Sequence, residues 1–411
     1  MTDALAVGDE LVITVGQMVH GGHCIGHAGE HTVFVRYAMP GERVRARIDR
    51  RKGSVRFASA VDVLEADPQR VTPPCGSFGL GACGGCEWQF APVSVQRTWK
   101  RMVLEDAFRR QGGSRVAAQV DWTGLSVESM EPGLESGLGW RTRARWRSDS
   151  AGRPAFRRAG SHDLIAIPDC AVLVPALRSA LRSALRATPG ALDAPPGRDV
   201  VAQAGLDGRL AIQVQEGTDC VPDSTQRATV SVRNRTWRVQ PGAFWQAHQG
   251  LPDALVDAVL EFAQPAAGQC WWDLYSGVGL FSAFLGDAVG ATGSVHAVES
   301  SPQADRMARR SLHDLPQVHL HKQRVEEWLD GSSAPRPHGV VADPPRRGLG
   351  TVITPLVANA PERIILVACD PVALARDARL LVEAGYRLGG LRAFDAFPMT
   401  HHLECVALFT C

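Results

Sequence analysis

The sequence predicts an α/β protein in which a Rossmann-like, doubly wound domain follows a small β-barrel and a mixed α+β domain. From about residue 236 onward, short apolar strands alternate with helical segments, which is typical of a parallel sheet covered by helices on both faces. Residues 1–62 instead contain short strands separated by glycine-rich turns, as in a small barrel. The predicted domains are therefore 1–62, 63–235 and 236–411.

The composition is that of a soluble globular protein large enough for two or three domains. The chain has 411 residues, of which 45% are apolar and 21% charged, and its formal net charge is +1. No apolar run reaches the roughly 20 residues of a membrane span, and residues 1–5 lack the basic and apolar regions of a signal peptide. We therefore expect a cytoplasmic protein without a membrane partner, whose ten cysteines serve metal binding or catalysis instead of disulfides.

The first domain has a basic face. Strict alternation in Arg43–Ile48 places arginines on one side of a strand and apolar residues on the other. The surrounding stretch from Arg36 to Arg56 is rich in arginine, and only Glu42 and Asp49 oppose its positive charge. We predict a barrel with a basic outer surface.

A second basic cluster lies in the central domain and is interleaved with tryptophans. Its members are Arg141, Arg143, Arg145, Arg147, Arg153, Arg157 and Arg158. Trp140 and Trp146 stand among these arginines, and Asp149 opposes them. Either basic cluster alone is compatible with a solvated face, but the two together predict a surface for phosphate contacts and base stacking on a nucleic acid.

Four cysteines of the central domain have the spacing of a metal site. Cys83 and Cys86 flank two glycines, a tight turn that lets two sulfurs reach one metal centre, while Cys75 precedes them and Cys170 follows at a distance. Four thiolates suit either zinc or a [4Fe–4S] cluster, and ligand softness alone does not decide between them. Four unconnected structural cysteines are the alternative interpretation.

A glycine loop in the last domain predicts a nucleotide-type cofactor. Asp273–Gly279 follows an apolar strand and precedes a helix, so its backbone can turn tightly and approach a ligand. The loop lacks the third glycine of the dinucleotide fingerprint, which counts against NAD. Glu299 ends the next strand, where a carboxylate can accept hydrogen bonds from a ribose. The two features favour S-adenosylmethionine; a structural turn beside a surface glutamate is the alternative.

Three further segments near the C-terminus predict the reaction. Asp343-Pro344-Pro345-Arg346 leaves the sheet at the edge where such folds bind ligands, and Cys369 ends an apolar strand at the same edge. A thiolate there can attack C6 of uracil and make C5 nucleophilic towards a methyl donor. The adduct must then lose its C5 proton, which requires a general base such as Glu404. The set predicts methylation of a pyrimidine ring carbon.

Several segments resemble the RNA uracil-5-methyltransferase family, and the resemblance spans essentially the whole chain. These segments are Phe244–His248, Asp273–Gly279, Ala342–Gly348, Ala368–Pro371 and Pro398–Glu404. The first domain in turn resembles the TRAM domain, an RNA-binding barrel of RNA-modifying enzymes, through Met39–Glu42 and the alternating valines and arginines that follow.

This resemblance implies roles for individual residues. Cys369 would be the nucleophile and Glu404 the proton-abstracting base. The methyl-donor site would be lined by Gln246, Tyr275, Glu299 and Asp343. A [4Fe–4S] cluster, in preference to zinc, would be held by Cys75, Cys83, Cys86 and Cys170. The implied reaction is methyl transfer from S-adenosylmethionine to C5 of a uridine in RNA by a monomer, with 23S ribosomal RNA as the expected substrate and transfer RNA as the alternative.

The chain departs from the family pattern at a few positions. Ala247 and His248 stand where the family often has asparagine, and Leu280 replaces an asparagine that usually follows the glycine loop. Arg324 stands near a position that often contacts adenosine, and the loop between Cys75 and Cys83 is longer than usual. These departures concern details of donor and metal binding and leave the predicted chemistry unchanged.

Other classes of protein fit the sequence less well. A radical S-adenosylmethionine enzyme requires a Cys-x3-Cys-x2-Cys triad, which the sequence lacks. A cytosine-5 RNA methyltransferase would carry a Pro-Cys pair in the catalytic domain, and none occurs there. A non-catalytic RNA-binding or assembly protein that kept the fold is the remaining alternative, and the joint presence of Cys369, Glu404 and Asp343 argues against it.

Overall fold

The computed structural model describes residues 5–130, 136–186, 194–216, 219–220, 226–331 and 333–411. These residues form two six-stranded sheets, a two-stranded ribbon and an eight-stranded sheet flanked by helices. The prediction of an α/β fold with an N-terminal β domain is confirmed. Within the described ranges, no helix combines the length and the apolar character that crossing a bilayer would require.

The N-terminal sheet curls towards a barrel. Its strands are β1 (Glu10–Thr14), β2 (Met18–Val19), β3 (His23–Ala28), β4 (His31–Arg36), β5 (Arg43–Lys52) and β6 (Val55–Glu65). They pair in the order β1-β5-β6-β4-β3-β2, and the Gly16 N–H donates to the Ile25 carbonyl at 2.6 Å, which returns the chain after β1 to β3. As predicted, β5 exposes its arginines and buries the alternating Val44, Ala46 and Ile48. The sheet runs past residue 62, to Glu65.

Acidic side chains on the neighbouring strand β6 partly neutralise the basic face of β5. Antiparallel pairing brings β6 alongside, so that Arg43 Nη1 lies 2.9 Å from Glu65 Oε1 and Arg45 Nη2 lies 3.8 Å from Asp62 Oδ2. Each exposed ion pair of this kind contributes at most about 1 kcal/mol to stability. Because these two acids lie beside β5, the local positive charge is smaller than a count from Arg36 to Arg56 indicates.

A helical segment links the N-terminal sheet to the rest of the protein. Its elements are α1 (Val93–Ala107), a π-helical turn (Phe108–Gly112), α2 (Ser114–Ala117) and β7 (Val127–Glu128). Leu104 and Phe108 share a buried cluster with Trp272 and Leu381 of the last domain, and β7 forms an edge of the eight-stranded sheet. Hydrophobic packing thus crosses the predicted boundary at residue 235, and the division into 1–62, 63–235 and 236–411 stays a prediction.

The central sheet is antiparallel and covered by one helix. Its elements and those of the ribbon are β8 (Arg143–Ser148), β9 (Pro154–Arg157), β10 (Leu164–Ile165), α3 (Pro175–Arg186), β11 (Asp199–Ala204), β12 (Leu210–Glu216), β13 (Asp219–Cys220), β14 (Ala228–Val232) and β15 (Arg235–Val239). The strand order is β10-β9-β8-β11-β12-β13. The loop predicted for residues 188–198 lies partly outside the described residues.

The prediction that Trp140 and Trp146 stack on bases at the surface is wrong. Both are only 2% exposed. Alternation along β8 turns Trp146 into a cluster with Leu177 of α3, while Arg145 points outward on the opposite face. Trp140 stacks on the ring of His248, with centroids 5.5 Å apart and planes 10° apart. The exposed side of β8 is therefore rich in arginine without aromatic residues.

The last domain is a doubly wound sheet with an antiparallel end. Its elements are α4 (Leu251–Ala263), β16 (Cys270–Leu274), α5 (Leu280–Val289), β17 (Ser294–Val298), α6 (Pro302–Ser311), β18 (Val318–His321), α7 (Val325–Gly331), β19 (Gly339–Ala342), a 3-10 turn (Gly350–Val352), α8 (Ile353–Ala358), β20 (Arg363–Ala368), α9 (Pro371–Glu383), β21 (Arg387–Phe394) and β22 (Glu404–Thr410). The strand order is β18-β17-β16-β19-β20-β22-β21-β7, with β18 to β20 parallel.

The strand β22 adds an antiparallel strand to the predicted doubly wound sheet. β22 lies between β20 and β21 and runs antiparallel to both. The first residue of β22 therefore lies at the edge where the parallel strands end, which is where such sheets bind ligands. This reversal decides where Glu404 stands.

Candidate active site

The three predicted catalytic groups meet at one edge of the eight-stranded sheet. Asp343 directly follows β19, Cys369 directly follows β20, and Glu404 begins β22. Ala368 pairs with Cys405 in the β20–β22 register, so Cys369 and Glu404 are the next residues along that ladder. Glu404 also pairs with Phe394 of β21 on its other side. Backbone pairing thus brings the thiol and the carboxyl together from opposite ends of their strands.

The Cys369 thiol is half-buried and held in its neutral form. Burial raises its pKa to about 12, and the carboxyls of Glu404 and Asp343 act in the same direction. Arg346 is the main opposing influence and lowers it. Asp370, the next residue, caps α9 by accepting the N–H groups of Val372 and Ala373 at 3.0 and 2.8 Å, which fixes the turn that carries the thiol.

The carboxyls of this edge are buried close to one another. Burial raises the pKa of Glu404 well above its usual range, and Asp343 raises it further while Arg346 lowers it. Burial and the neighbouring Asp273 raise the pKa of Asp343 to about 7, and burial raises the pKa of Asp273 to about 7 as well. The edge is therefore a cluster of acids whose burial and mutual repulsion favour their neutral forms.

The buried carboxyl group of Asp273 is only partly hydrogen-bonded among the described residues. It is fully buried in β16, and its Oδ2 accepts the Ser282 hydroxyl at 2.5 Å. Its Oδ1 has no hydrogen-bond partner among the described residues. A buried carboxylate oxygen left in this state is costly unless a ligand supplies a donor or a positive charge.

The glycine loop has the geometry of a ligand-binding turn. Gly277 and Gly279 have φ of +56° and +82°, and a Cβ at Gly279 would come within 2.5 Å of Leu312 Cδ1, so only glycine fits there. Glu299 braces the loop by accepting the Gly277 N–H at 3.0 Å and the Ser301 N–H at 2.6 Å. Tyr275 also has a positive φ, of +61°, a strained conformation typical of functional turns.

A cavity of about 510 Å³ opens beside this loop. It is lined by Tyr275, Val298, Ser300, Arg324, Val325, Glu326, Pro345 and Arg347. The cavity lies at the carboxyl ends of β16 and β17, next to the proline segment that follows Asp343. A volume of this size suits a nucleoside.

The four predicted metal ligands line a second cavity, of about 590 Å³, in the central domain. Cys75, Cys83, Cys86 and Cys170 all face it, together with Arg141, Arg145, Arg147, Arg157 and Arg158. Burial raises the pKa of Cys86 to about 12 and that of Cys170 to about 11. None of the four forms a disulfide. In the described ranges, however, no three His, Cys, Asp or Glu side chains are close enough to hold a metal ion as they stand. Four thiols around one cavity are a donor set that suits a thiolate-bound metal, but as they stand the side chains are not in ligating positions.

Comparisons with known proteins identify the family. The family model described as tRNA (Uracil-5-)-methyltransferase matches residues 214–410. A 23S rRNA (uracil(1939)-C(5))-methyltransferase of Chromohalobacter salexigens is 30% identical over 99% of this chain and 90% of its own length. The chain belongs to the uracil-5-methyltransferase family. An uncharacterized RNA methyltransferase of Streptomyces avermitilis is 36% identical over 98% of both chains.

A solved structure supports the fold of this family member along its whole length. The tRNA (uracil-54, C5)-methyltransferase of Pyrococcus abyssi, in complex with S-adenosyl-L-homocysteine, superposes with a TM-score of 0.71. It covers 97% of this chain and 99% of its own, at 22% sequence identity. At that identity the likeness establishes the architecture, from the N-terminal sheet to the doubly wound domain.

The structure shows the surroundings of three residues that depart from the family pattern, His248, Leu280 and Arg324. His248 is buried, where burial lowers its pKa to about 4, and its Nδ1 accepts the Gly250 N–H at 3.1 Å. Leu280 starts α5 and packs into the domain core. Arg324 lines the nucleoside-sized cavity, with its Nε 3.7 Å from Glu326 Oε2. Gln246 is buried in the segment that leads into α4.

Three functional candidates were missed from the sequence. Asp273 was read only as the strand end before the loop, because nothing in the sequence shows that it would be buried beside Asp343. Arg346 was assigned no role in the segment that follows Asp343, although it is a cation that acts on both Cys369 and Glu404. His20 belongs to the N-terminal sheet region, yet its Nε2 lies 3.3 Å from Asp370 Oδ2, so that domain touches the nucleophile turn.

Proposed function

We propose that this protein transfers a methyl group from S-adenosylmethionine to C5 of a uridine in RNA, through a covalent bond between Cys369 and C6 of the uracil. The observation that carries the proposal is the antiparallel β22, which stands Glu404 beside Cys369 at the ligand edge of the sheet. Family membership supports the same reaction. A nucleophilic thiol and a carboxylate base in one site are the two groups that this reaction requires.

The residues divide the chemistry between them. The Cys369 thiol loses its proton to solvent, the thiolate attacks C6, and the displaced electron pair moves through C5 towards O4, where an enolate forms. S-adenosylmethionine would supply the electrophilic methyl group that C5 takes, and S-adenosylhomocysteine would be released. Glu404 then accepts the C5 proton, the C5–C6 double bond re-forms, and the sulfur leaves as the thiolate. Arg346 is placed to favour the anionic forms of both Cys369 and Glu404, since it lowers the pKa of each.

The charge of the site supports a sulfonium donor. Asp273, Asp343 and Glu404 are buried acids with raised pKa values, so a cation bound among them would relieve their mutual repulsion. We assign the donor site to Gln246, Tyr275, Glu299 and Asp343, with the glycine loop and the 510 Å³ cavity beside Tyr275 as its nucleoside end. Glu299 already holds the loop and stands where a ribose hydroxyl would reach it.

We further propose that Cys75, Cys83, Cys86 and Cys170 hold a [4Fe–4S] cluster, with zinc as the alternative. The support is the all-thiol donor set around one cavity. Such a centre would cross-link the loop before α1 to the segment before α3. Its role in this proposal is structural, and no step of methyl transfer requires it.

The proposed RNA contacts lie on the N-terminal and central sheets. We interpret the N-terminal sheet as a TRAM-like RNA-binding domain, because β5 exposes Arg43, Arg45 and Arg47 on one face. The target uridine must leave its stack to reach Cys369, which favours a loop or bulge over a regular helix. The 23S ribosomal RNA is the proposed substrate, since a relative of that name matches along the whole chain. Transfer RNA is the alternative, and the enzyme is proposed to act as a cytoplasmic monomer.

The decisive experiment is intact-mass analysis after mixing with S-adenosylmethionine and 5-fluorouridine-substituted RNA. Fluorine at C5 cannot be removed as a proton, so the enzyme should stall as a covalent adduct that Cys369→Ala does not form. Fragments of 23S ribosomal RNA and transfer RNA transcripts are tested side by side, with Cys411→Ala as the matched cysteine control.

Each outcome has a distinct meaning. An adduct with the 23S fragments alone supports the full proposal, and one with transfer RNA alone transfers it to the alternative substrate. No adduct with either RNA, from protein that binds S-adenosylmethionine, would favour a non-catalytic RNA-binding protein that kept the fold.

A further inference from the structure

The loop that delivers the catalytic carboxyl is held by another part of the protein. Residues 395–403 connect β21 to β22 and end at Glu404. Their backbone is bonded to residues 87–100, which run from the cysteine loop into α1. The geometry of Glu404 therefore depends on a segment far from it in sequence.

Gln96 is the centre of this contact. Its side chain is fully buried, and its Oε1 accepts the Met399 N–H at 2.8 Å. Its Nε2 donates to the carbonyls of Ala91 and Trp88 at 2.8 and 3.1 Å. A buried amide whose two ends are both engaged has one stable orientation. Gln96 thus fixes the loop relative to the start of α1.

Both backbone polar groups of Met399 form hydrogen bonds. Its carbonyl accepts the N–H groups of Glu87 and Trp88, at 2.9 and 3.1 Å, while its N–H donates to Gln96. Its φ is +69°, a left-handed conformation that is unfavourable for a residue with a Cβ. Such a conformation persists where the surroundings impose it, and here these bonds impose it.

A buried ion pair anchors the same loop at its other end. Lys100, one turn further along α1, is fully buried, and its Nζ lies 2.5 Å from Asp395 Oδ1 and 3.0 Å from the Phe397 carbonyl oxygen. One face of α1 thus carries both anchors, Gln96 and Lys100.

The same contact extends to the cysteine pocket, the cavity lined by Cys75, Cys83, Cys86 and Cys170. Glu87, which donates to Met399, directly follows Cys86. The Met399 side chain is buried in a cluster with Trp140 and Val172, and Cys86 and Cys170 pack against that cluster. Met399 is therefore one of the residues that join the cysteine pocket to the catalytic edge, the edge of the sheet at which Asp343, Cys369 and Glu404 lie.

We infer that Gln96 is a positioning residue for the proton-abstraction step: by holding Met399 it sets the position of Glu404, and it links that position to the cysteine pocket. The inference rests on the proposed function, in which Glu404 resolves the Cys369 adduct. It concerns resolution of the adduct, because the loop leads directly into Glu404, whereas Cys369 lies between β20 and α9.

The test compares Gln96→Met, which keeps the length of the side chain and removes its polar ends, with Gln203→Met. Gln203 is an equally buried glutamine of β11 that does not touch the loop. Two rates are measured for each protein: trapping by 5-fluorouridine RNA, which reports attack and methylation, and turnover on unmodified RNA, which also requires resolution. Since misplacement by about 1 Å can cost about a hundred-fold, we expect Gln96→Met to trap at the wild-type rate, turn over roughly ten- to a hundred-fold more slowly and accumulate the methylated adduct.

The outcomes separate this inference from the proposed function. Equal losses of trapping and turnover in Gln96→Met, or no loss of either, would overturn the inference while leaving the mechanism standing. Absence of trapping by the wild-type protein would overturn the proposed function itself, and the inference with it.

A pair of substitutions at Met399 decides the matter if Gln96→Met does not fold. Met399→Gly accepts the positive φ and keeps the three backbone hydrogen bonds, so turnover should stay within a few-fold of wild type. Met399→Val resists that φ because it is β-branched, and it should accumulate the adduct. The same behaviour in both variants would contradict the inference.

Discussion

The catalytic edge and the cysteine pocket bring distant residues together in different ways. At the catalytic edge, Asp343, Cys369 and Glu404 stand at the ends of paired strands, so backbone ladders fix them without any ligand. In the pocket, Cys75, Cys83 and Cys86 occupy a loop and Cys170 a second loop, and none lies within a strand or helix. The difference is that paired strands fix the three predicted catalytic residues in place, whereas the four cysteines are held by loops alone.

Replacing Cys369, the proposed nucleophile, is the strongest test of the catalytic edge. Cys369→Ala should lower methylation by at least about ten-thousand-fold, because no other group can form the covalent bond. Folding should be preserved, since Cys369 is half-buried and makes no structural hydrogen bond among the contacts described. Activity is measured by transfer of labelled methyl groups to RNA, and melting by circular dichroism.

Cys411→Ala is the control, as this exposed cysteine lies at the opposite end of the same sheet. Activity of Cys369→Ala within tenfold of wild type would exclude the covalent mechanism.

Glu404→Gln tests whether the reversed strand supplies the base. The substitution keeps the size of the side chain but cannot accept the C5 proton, so turnover should fall by about a hundred- to ten-thousand-fold. The methylated adduct should then accumulate on unmodified RNA, which denaturing gels detect as a slow RNA–protein band. Glu362→Gln, at the other edge of the sheet and exposed, should behave as wild type. Loss of turnover without an accumulated adduct would mean that Glu404 acts before the methyl transfer.

The cysteine pocket should respond differently to loss of one ligand. Cys86→Ser should abolish the visible absorption of an iron–sulfur centre and lower the unfolding midpoint by roughly 5–10 °C. Trapping by 5-fluorouridine RNA should persist, because β20 and β22 hold the nucleophile without the pocket. Iron, sulfide and zinc are measured in both proteins by elemental analysis. Zinc without sulfide would show that the site binds zinc and not a cluster. Unchanged stability, with no metal in either protein, would show that the site binds no metal.

How much of each region was predictable follows from how it is built. Cys369 and the Asp343 segment were placed correctly at one edge, because the carboxyl ends of parallel strands must meet there. The direction of β22 was not predictable, since its apolar pattern is the same in either direction. Trp146 was misread because the basic residues around it hid the period-two pattern that buries it. The anchors Gln96 and Lys100 leave no local signal, since their partners lie about three hundred residues away.

The smallest expected effect concerns pH, and it tests the charge of the preorganised edge. The pKa of Asp343 is raised to about 7, so in the free enzyme it is largely protonated below that pH. A sulfonium beside it would favour the ionised form and lower this pKa. Affinity for S-adenosylmethionine should therefore rise as the pH increases from about 5.5 to 7, and level off once Asp343 is ionised in the free enzyme as well.

S-adenosylhomocysteine is the matched ligand, because it differs by the methyl group and the positive charge. The ratio is the dissociation constant of S-adenosylhomocysteine divided by that of S-adenosylmethionine, both measured by calorimetry. It should rise several-fold across this range in the wild-type protein. Asp343→Asn should flatten the ratio, although the buried Asp273 keeps part of the effect. If both ligands showed the same pH dependence, the buried acids would not be responding to the sulfonium, and the donor would have to bind with its charge turned away from them. A ratio that rises with pH in the wild type and not in Asp343→Asn would instead place the methyl group beside Asp343, at the edge where Cys369 and Glu404 stand.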